Sequence, residues 1–419
     1  MMIQAFYTGL SGMKTNQKAI DTLSDNIANI STVGFRKSVS EFSSLFEATL
    51  NLDGGFSTLN SSVGAGVKVD ATQLSTATGT LLASDKSTDV AIDGDGWFGI
   101  QANGEPLYTR DGTFSFDVNR DLVTQDGFHV LGTVGTNIVN GIVTNPLPQT
   151  PLGDVATQEK LTFPESLIFP PTPTTKVTFN GNLGIVDEIR KMSSLVVDAQ
   201  NNRNTLSLEF TKSATQPSLG VAWDVVATIK SADGQTPYDT QSGTISFDEK
   251  GALTTNTLGV IDNNGSPVQM DLGIGYGGIT ALDNSIIDSS SSSDGKVGGE
   301  LIGYDINVNG DVLATFTNSE QISVGRIAVF HFQNDKGLQR VSGTRFEESS
   351  NSGKPIFFQD VKGQNILGAS LHNFKLESSN VELASGLTEL IVLQRSYDAN
   401  AKSITTADQM IQKALSMHK

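Results

Sequence analysis

Residues 383–415 read LASGLTELIVLQRSYDANAKSITTADQMIQKAL, with apolar residues recurring at alternating spacings of four and three. This spacing predicts a helix with a single apolar stripe, and more than four heptads of it are typical of a coiled coil. Because such a stripe is unstable in water, we expect the helix to pair with another helix or with neighbouring chains. The predicted stripe is Leu383, Leu387, Leu390, Gln394, Tyr397, Ala401, Ile404, Asp408, Ile411 and Leu415, with Gln394 and Asp408 as polar breaks.

The first 30 residues carry a second helical pattern, in which apolar positions recur at threes and fours. Taken singly, each terminal helix is most simply an amphipathic helix lying on a globular core. Two such helices at opposite ends of one chain favour pairing instead, and we expect both to mediate assembly. The N-terminal positions predicted to take part are Phe6, Leu10, Met13, Ile20, Leu23 and Ile27.

Between the ends the pattern is one of strands and turns. Short apolar or alternating runs are separated by Asp-Gly and Asn-Gly pairs, such as Asp93-Gly94, Asn103-Gly104 and Asp126-Gly127, every 8 to 12 residues. This arrangement predicts antiparallel β structure. Prolines crowded at 170–173 indicate a domain boundary, and a Ser-rich tract at 289–293 ends the second β series.

These patterns predict a mainly β multidomain chain whose N- and C-terminal α-helices pair as a coiled coil. If the ends meet, the β segments next to them lie side by side, so the middle series forms an outer β domain inserted into an inner β domain. The predicted domains are terminal helices in 1–30 and 381–419, linkers in 31–72 and 373–380, an inner β domain in 73–145 and 296–372, and the outer β domain in 146–295.

Composition excludes several functional classes. A net charge of −17 argues against nucleic acid and anionic membranes as partners. The absence of Cys removes thiolate catalysis and Cys-ligated metals. Charged residues are only 17% of the chain, so its surface is expected to tolerate contact with copies of itself.

Candidate chemical motifs are weak, and we predict no catalytic, metal or cofactor site. The four His residues show no metal-ligand spacing. Gly273, Gly275 and Gly278 satisfy G-x-G-x-x-G but precede no helical pattern, so they indicate a tight loop. Asp117, Asn119 and Asp121 have the spacing of calcium ligands, yet the later positions of that motif are wrong, and a turn is the simpler interpretation.

The first 30 residues lack a basic start followed by an apolar core, because charged residues interrupt them. No stretch approaches the roughly 20 apolar residues of a membrane span. We therefore expect neither membrane insertion nor a cleaved signal peptide.

Three ordered blocks of sequence resemble the bacterial flagellar rod and hook axial proteins. The middle block runs from Ile92 to Gly132 and includes Trp97 and Arg110. The terminal blocks contain the motif residues Asn26, Asn29, Gly34, Phe35, Asn380, Gln394 and Arg395.

The resemblance implies a non-enzymatic subunit that polymerises into the flexible, curved hook outside the cell and passes torque from rod to filament. It implies contacts with copies of the chain, the rod, the hook cap, the hook-filament junction proteins and the flagellar type III export apparatus. The length between 145 and 296 favours a hook protein over a distal rod protein, which stays the alternative. A β-sandwich enzyme or adhesin dimerised by its terminal helices is the more remote alternative.

Overall fold

The structure is a computed structural model that describes residues 2–45, 66–102, 104–186, 188–283 and 289–417, with only the backbone described for 2–4. Part of the predicted linker, Asn103 of one predicted turn, and His418 lie outside the described residues. Helix α1 spans Met2–Ala28 and helix α2 spans Leu383–Ser416. The strands lie between the two helices, so the prediction of a mainly β chain with helical ends is confirmed.

Strands in the first part of the chain are β1 Ser38–Ser44, β2 Val67–Leu74, β3 Leu81–Ala83, β4 Val90–Asp93, β5 Trp97–Gln101, β6 Leu107–Thr109, β7 Phe114–Phe116, β8 Leu122–Thr124, β9 His129–Val134, β10 Ile138–Val139, β11 Ile142–Val143, β12 Glu159–Lys160 and β13 Ile168–Phe169. Those in the middle are β14 Lys176–Asn182, β15 Arg190–Val197, β16 Arg203–Lys212, β17 Val221–Lys230, β18 Pro237–Phe247, β19 Leu253–Asn256, β20 Val260–Asn263, β21 Ser266–Asp271, β22 Ile279–Thr280 and β23 Ser289–Ser293. The last are β24 Gly299–Ile306, β25 Asp311–Phe316, β26 Gln321–Ile327, β27 Val329–Phe330, β28 Gln339–Ser342, β29 Arg345–Glu347, β30 Phe358–Gln359, β31 Asn365–Ile366, β32 Ser370–Asn373 and β33 Lys375–Glu377.

Strands from the first and last parts share one large sheet, ordered β10-β11-β13-β24-β25-β26-β9-β5-β6-β29-β28. Its buried side chains come from 74–169 and 304–371 and form a cluster that we call the flanking core. Aromatic rings meet edge to face there, with the centroids of Phe98 and Phe114 5.0 Å apart. The flanking core thus joins residues that are distant in sequence.

A second cluster, which we call the central core, draws only on residues 177–281. It lies between the sheet β15-β16-β17-β18-β19 and the sheet β20-β21-β14-β22, to which β23 adds beside β14. Alternation along β16 and β17 buries every second side chain, including Leu208, Phe210, Val225 and Ala227. The two cores share no residue.

In the part of the chain that the structure describes, five hairpin loops have the same turn, in which an Asp or Asn Oδ1 accepts hydrogen bonds from the backbone N–H groups two and four residues later. At Asp117 the donors are Asn119 and Asp121, each at 2.8 Å, and Arg120 has a positive φ of 66°. The three residues with calcium-like spacing therefore form a turn. The other four loops begin at Asp198, Asp248, Asn307 and Asp360.

Regular structure extends into segments of low periodicity. Within 31–72, β1 and β2 pair antiparallel, and β33 within 373–380 pairs with β3. The Ser tract 289–293 is the strand β23. The all-serine strand β23 gives no apolar alternation, and pairing with β14, which is distant in sequence, stabilises it.

Candidate assembly site

The two terminal helices pack against each other in antiparallel order. A Cβ added to Gly9 would lie 2.9 Å from Ile404, and one added to Gly386 would lie 3.4 Å from Ile27. A Cβ on Gly12 would approach the Asn400 side chain within 2.7 Å. Small residues therefore bring the two helix backbones close together.

The least exposed stripe of α2 differs from the predicted stripe at every second position. It keeps the spacing of four and three and contains Leu390, Tyr397, Ile404 and Ile411, as predicted. The predicted positions Leu383 and Leu387 instead are 46% and 45% exposed. The intervening members of the observed stripe are Gly386, Leu393, Asn400 and Ala407.

The other predicted assembly residues divide in the same way. Leu23 is buried and Ala401 is half-buried, whereas Phe6 and Leu415 are exposed. Leu10, Met13, Ile20 and Ile27 are half-buried, and the motif residues Gln394 and Arg395 are exposed. The helix pair thus leaves large apolar side chains uncovered, including Ile391 and Val392, which the sequence stripe did not include.

Polar side chains attach α1 to the β1–β2 hairpin. Asn26 donates from Nδ2 to the carbonyl oxygen of Ser38 at 2.7 Å, and the Ser38 N–H donates back to Asn26 Oδ1 at 2.9 Å. Thr15 donates to the carbonyl oxygen of Val67 at 3.1 Å. Asn26 is buried, so this motif residue satisfies a strand backbone that would otherwise be unpaired.

The end of α1 is held by two further motif residues. Asn29 donates from Nδ2 to the Asp25 carbonyl oxygen at 2.9 Å, which satisfies a carbonyl group of the last helical turn. Gly34 follows with a positive φ of 67°, and a Cβ there would lie 2.4 Å from the backbone nitrogen of Asp111. Glycine therefore allows the chain to turn directly against the flanking core.

A buried ion cluster lies where both ends of the chain reach the flanking core. Arg36 Nη2 is 2.8 Å from Glu377 Oε1, and Arg110 Nη1 is 3.5 Å from Glu377 Oε2. All three side chains are at most 2% exposed. The Gly79 N–H donates to Glu377 Oε1 at 2.7 Å, so the carboxylate joins four separate segments of the chain.

Burial controls the electrostatics of this cluster. Desolvation, followed by the nearby charge of Arg36, lowers the pKa of Arg110 to about 10, although Glu377 opposes the change. Desolvation likewise lowers the pKa of Arg36. Two guanidinium groups share one carboxylate out of water, which makes Glu377 essential to the balance of charge.

Asn380 completes the junction beside the ion cluster. Its Oδ1 accepts from the Lys37 N–H at 2.7 Å, and its Nδ2 donates to the Ala77 carbonyl oxygen at 2.8 Å. Its own N–H donates to the carbonyl oxygen of Phe35, whose buried ring lies under the Arg340 guanidinium at 4.6 Å. We call the residues Gly34, Phe35, Arg36, Arg110, Glu377 and Asn380 the terminal junction.

The blocks that resemble the flagellar family contain every member of the terminal junction, but sequence reasoning did not predict the ion cluster. Arg36, Arg110 and Glu377 stand in short polar stretches, and only their contacts in the fold distinguish them from surface charges. Among the described residues, no group of three or more His, Asp or Glu is placed to hold a metal ion. Neither helix in the described part of the chain has the length and hydropathy needed to cross a bilayer.

Three family profiles match separate parts of the chain. "Flagella basal body rod protein" matches 6–36, "Flagellar hook protein FlgE/F/G D1 domain" matches 91–182, and "Flagellar basal body rod FlgEFG protein C-terminal" matches 374–417. Each matched segment contributes one member of the ion cluster: Arg36, Arg110 and Glu377 respectively.

Relatives align along nearly the whole chain. The flagellar hook protein FlgE of Borreliella burgdorferi is 27% identical and covers 98% of this chain and 99% of its own. FlgE proteins of Salmonella typhimurium and Escherichia coli K12 are each 28% identical, covering 97% of this chain and 98% of their own. The crystal structure of Helicobacter pylori flagellar hook protein FlgE2 shares the fold, with a TM-score of 0.53 and 16% identity over 71% of this chain and 100% of that one.

Helical ends joined to a β body through one buried junction, together with these matches, define a structural protein of the bacterial flagellum. The chain is similar to the flagellar rod and hook proteins at both ends and in its β region, and it aligns end to end with hook subunits.

Proposed function

We propose that this hook subunit polymerises through its two terminal helices, which pair as a coiled coil and form the inner wall of a tube. The observation that carries the proposal is the apolar surface left on the helix pair. Leu383, Leu387 and Ile391 follow one another at single-turn spacing on α2, and all are exposed. Burying a Leu or Ile side chain contributes about 1.5–3 kcal/mol, so a few such residues per contact suffice to favour association.

Heterologous contacts between identical chains generate a helical polymer when the rotation does not close into a ring. The exposed positions lie beside the stripe that faces α1 and not on it, so they are free to contact a neighbouring copy while the intramolecular pair stays intact. Near neutrality of the helical ends supports this arrangement, because like charges at a crowded axis would repel.

The β parts of the chain would form the outer layers of the tube. The flanking core combines residues on both sides of the central core, which supports an inner domain with an outer domain inserted into it. Ser, Thr, Asn and Gln are abundant on the outer sheets, and such surfaces slide past one another at low cost. In this arrangement the hook bends while transmitting torque, as a universal joint.

The remaining partners follow from the family. We propose export through the flagellar type III apparatus without a cleaved signal, assembly beneath a hook cap outside the cell, and end contacts with the rod and the hook-filament junction proteins. The central core favours the hook over the distal rod, because it accounts for the length that aligns with hook proteins.

Polymerisation is tested by replacing exposed apolar residues of α2. The double variant Leu383→Ser, Leu387→Ser should keep the β fold by circular dichroism but fail to form tubes in electron micrographs of sheared cells or purified protein. The matched control is Val118→Ser, because Val118 is an exposed apolar residue in a β-turn.

Truncation of residues 383–419 should likewise leave a β-rich monomer. Normal hooks built from either α2 variant would show that the helices do not drive assembly.

A further inference from the structure

Two short segments connect the flanking core to the central core. Residues 170–175 leave the flanking core and residues 294–298 return to it, and together we call them the connector. Within it, Thr172 and Lys296 exchange backbone hydrogen bonds of 2.8 and 2.9 Å. Because the two cores share no residue, the orientation of one relative to the other depends on the connector and on the side chains that hold it.

One peptide group of the connector is held from both cores. The carbonyl oxygen of Val297 accepts a hydrogen bond from Asn318 Nδ2 at 2.6 Å. The N–H of the same peptide, on Gly298, donates to Asn201 Oδ1 at 2.8 Å. In a trans peptide the C=O and N–H groups point in opposite directions, so the two asparagines approach this peptide from opposite sides.

The two asparagines belong to different sheets. Asn201 lies in the loop between β15 and β16 of the central sheet, and Asn318 lies in the loop between β25 and β26 of the large sheet. The Val297–Gly298 peptide is therefore a bridge of two hydrogen bonds between the sheets that enclose the two cores.

Asn201 is oriented by its own loop before it meets the connector. It has a positive φ of 70°, and the loop is one of the five Asp/Asn turns. The anchor of that turn, Asp198, is buried and accepts from Asn264 Nδ2 at 2.9 Å, which ties the loop to the opposite sheet of the central core. The Asn201 carboxamide is thus held in a fixed position relative to the central core.

Asn318 is oriented in a similar way from the other side. Its Oδ1 accepts from the Glu320 N–H at 3.1 Å, which leaves Nδ2 directed to the connector. A Cβ on Gly299 would lie 2.9 Å from the Asn318 side chain, so the glycine allows this close approach. The nearby ion pair of Lys296 and Glu320, at 3.0 Å, is partly exposed and contributes little.

We propose that Asn201 and Asn318 are positioning residues that set the angle between the two cores by holding the Val297–Gly298 peptide from opposite sides. Loss of either hydrogen bond frees the central core to swing on the connector. The inference rests on the proposed function for its role in a bending hook, but the angle itself is a property of the single chain.

Substitutions at the two asparagines can either keep or remove a hydrogen bond of the bridge. Asn201→Asp keeps an oxygen acceptor for the Gly298 N–H, whereas Asn201→Gly removes the acceptor and keeps the positive φ accessible. Asn318→Asp replaces the donor with an oxygen that faces the Val297 carbonyl oxygen. We expect Asn201→Asp to behave as the wild type. The other two variants should allow the central core to take a wider range of orientations relative to the flanking core.

The absence of native Cys makes a distance measurement specific. Spin labels on Val341→Cys and Leu195→Cys, both exposed, place one label on the large sheet and one on the central sheet. Full-length labelled chain, mixed with excess unlabelled chain, is measured by double electron–electron resonance. Removing one neutral hydrogen bond should raise the ratio of released to held conformations about fivefold, seen as a broadened distance distribution.

The matched control is Arg120→Gly, which places glycine at the equivalent positive-φ position of a loop that does not contact the connector. It should leave the distribution unchanged, and circular dichroism should show all variants folded. Unchanged distributions in both Asn201→Gly and Asn318→Asp would overturn the proposal, as would equal broadening in Asn201→Asp. If the distance distribution of the wild type is narrow but the wild type forms no tubes, that result would count against the proposed function and not against this inference.

Discussion

Arg36 and Glu377, from opposite ends of the chain, form an ion pair of 2.8 Å in which both side chains are almost completely buried. The pair lies beside Arg110, so a single carboxylate balances two guanidinium groups. The segment that follows α1 and the segment that precedes α2 are thereby fixed to the flanking core. In the proposed hook, this terminal junction would pass force from the helices to the flanking core.

Replacing Glu377 with Gln should destabilise the protein by about 3–5 kcal/mol, because two buried cations would lose their counter-charge. Urea unfolding followed by tryptophan fluorescence measures the change. Glu249→Gln, at an exposed position of a turn, is the control and should change stability by less than about 0.5 kcal/mol. A loss at Glu377 no larger than at Glu249 would mean that the buried charges do not depend on each other.

Gly34→Ala should destabilise the folded protein far more than Gly363→Ala. Both glycines have positive φ, at 67° and 77°, and this conformation alone costs alanine about 1–2 kcal/mol. A Cβ at Gly34 also meets the backbone of Asp111 at 2.4 Å, whereas at Gly363 nothing lies within 4 Å. Thermal unfolding of the two variants compares the cost of the clash directly. Equal melting temperatures would show that the chain does not turn this tightly at Gly34.

Asn26→Ala should loosen the attachment of the β1–β2 hairpin to α1. It leaves the Ser38 N–H and C=O groups without their partners, at a cost of about 1–3 kcal/mol. Hydrogen exchange of the Ser38 amide should accelerate, while Asn119→Ala, at an exposed turn position, leaves it unchanged. Unaltered exchange at Ser38 in Asn26→Ala would contradict the role assigned to this motif residue.

Asp198 should make stability depend on pH in the acidic range. Burial alone would raise its pKa, but hydrogen bonds from Asn264, Asn202 and Asn204 outweigh burial and lower it below the ordinary 3.8. The folded state therefore binds this proton less readily than the unfolded state, so the contribution is complete above pH 3.8 and is lost as pH falls through the folded-state pKa.

Urea titrations from pH 6 downward compare the wild type with Asp198→Asn. The wild type should be more stable by about 1.5–3 kcal/mol at pH 6, because the carboxylate accepts charge-assisted hydrogen bonds, and the difference should shrink on acidification. A difference that stays constant across the titration would refute the lowered pKa.

Particular elements show how far sequence patterns reach. Alternating runs indicated β16 and β17, because these strands bury one face of a sheet, and a continuous apolar run indicated β5, which is buried along most of its length. Period-3.5 spacing predicted both helices. It did not select the stripe of α2 that faces α1, because glycine, alanine and asparagine at the closest contacts carry no apolar signal.

The terminal junction illustrates the remaining limit. The resemblance covered all of its residues, but no local pattern marks Glu377 as the partner of Arg36 and Arg110. Contacts between residues so distant in sequence depend on how the sheets pack.

The amino-acid sequence by itself determined the kinds of elements and their order, since periodicity and turn residues act within a few positions along the chain. Its three motif blocks carried the resemblance to the flagellar family. Tertiary structure alone decided which helix face stays exposed, which charges are buried together, and which peptide connects the two cores. These outcomes depend on the desolvation and close approach of distant segments, which arise only when the sheets and helices have packed.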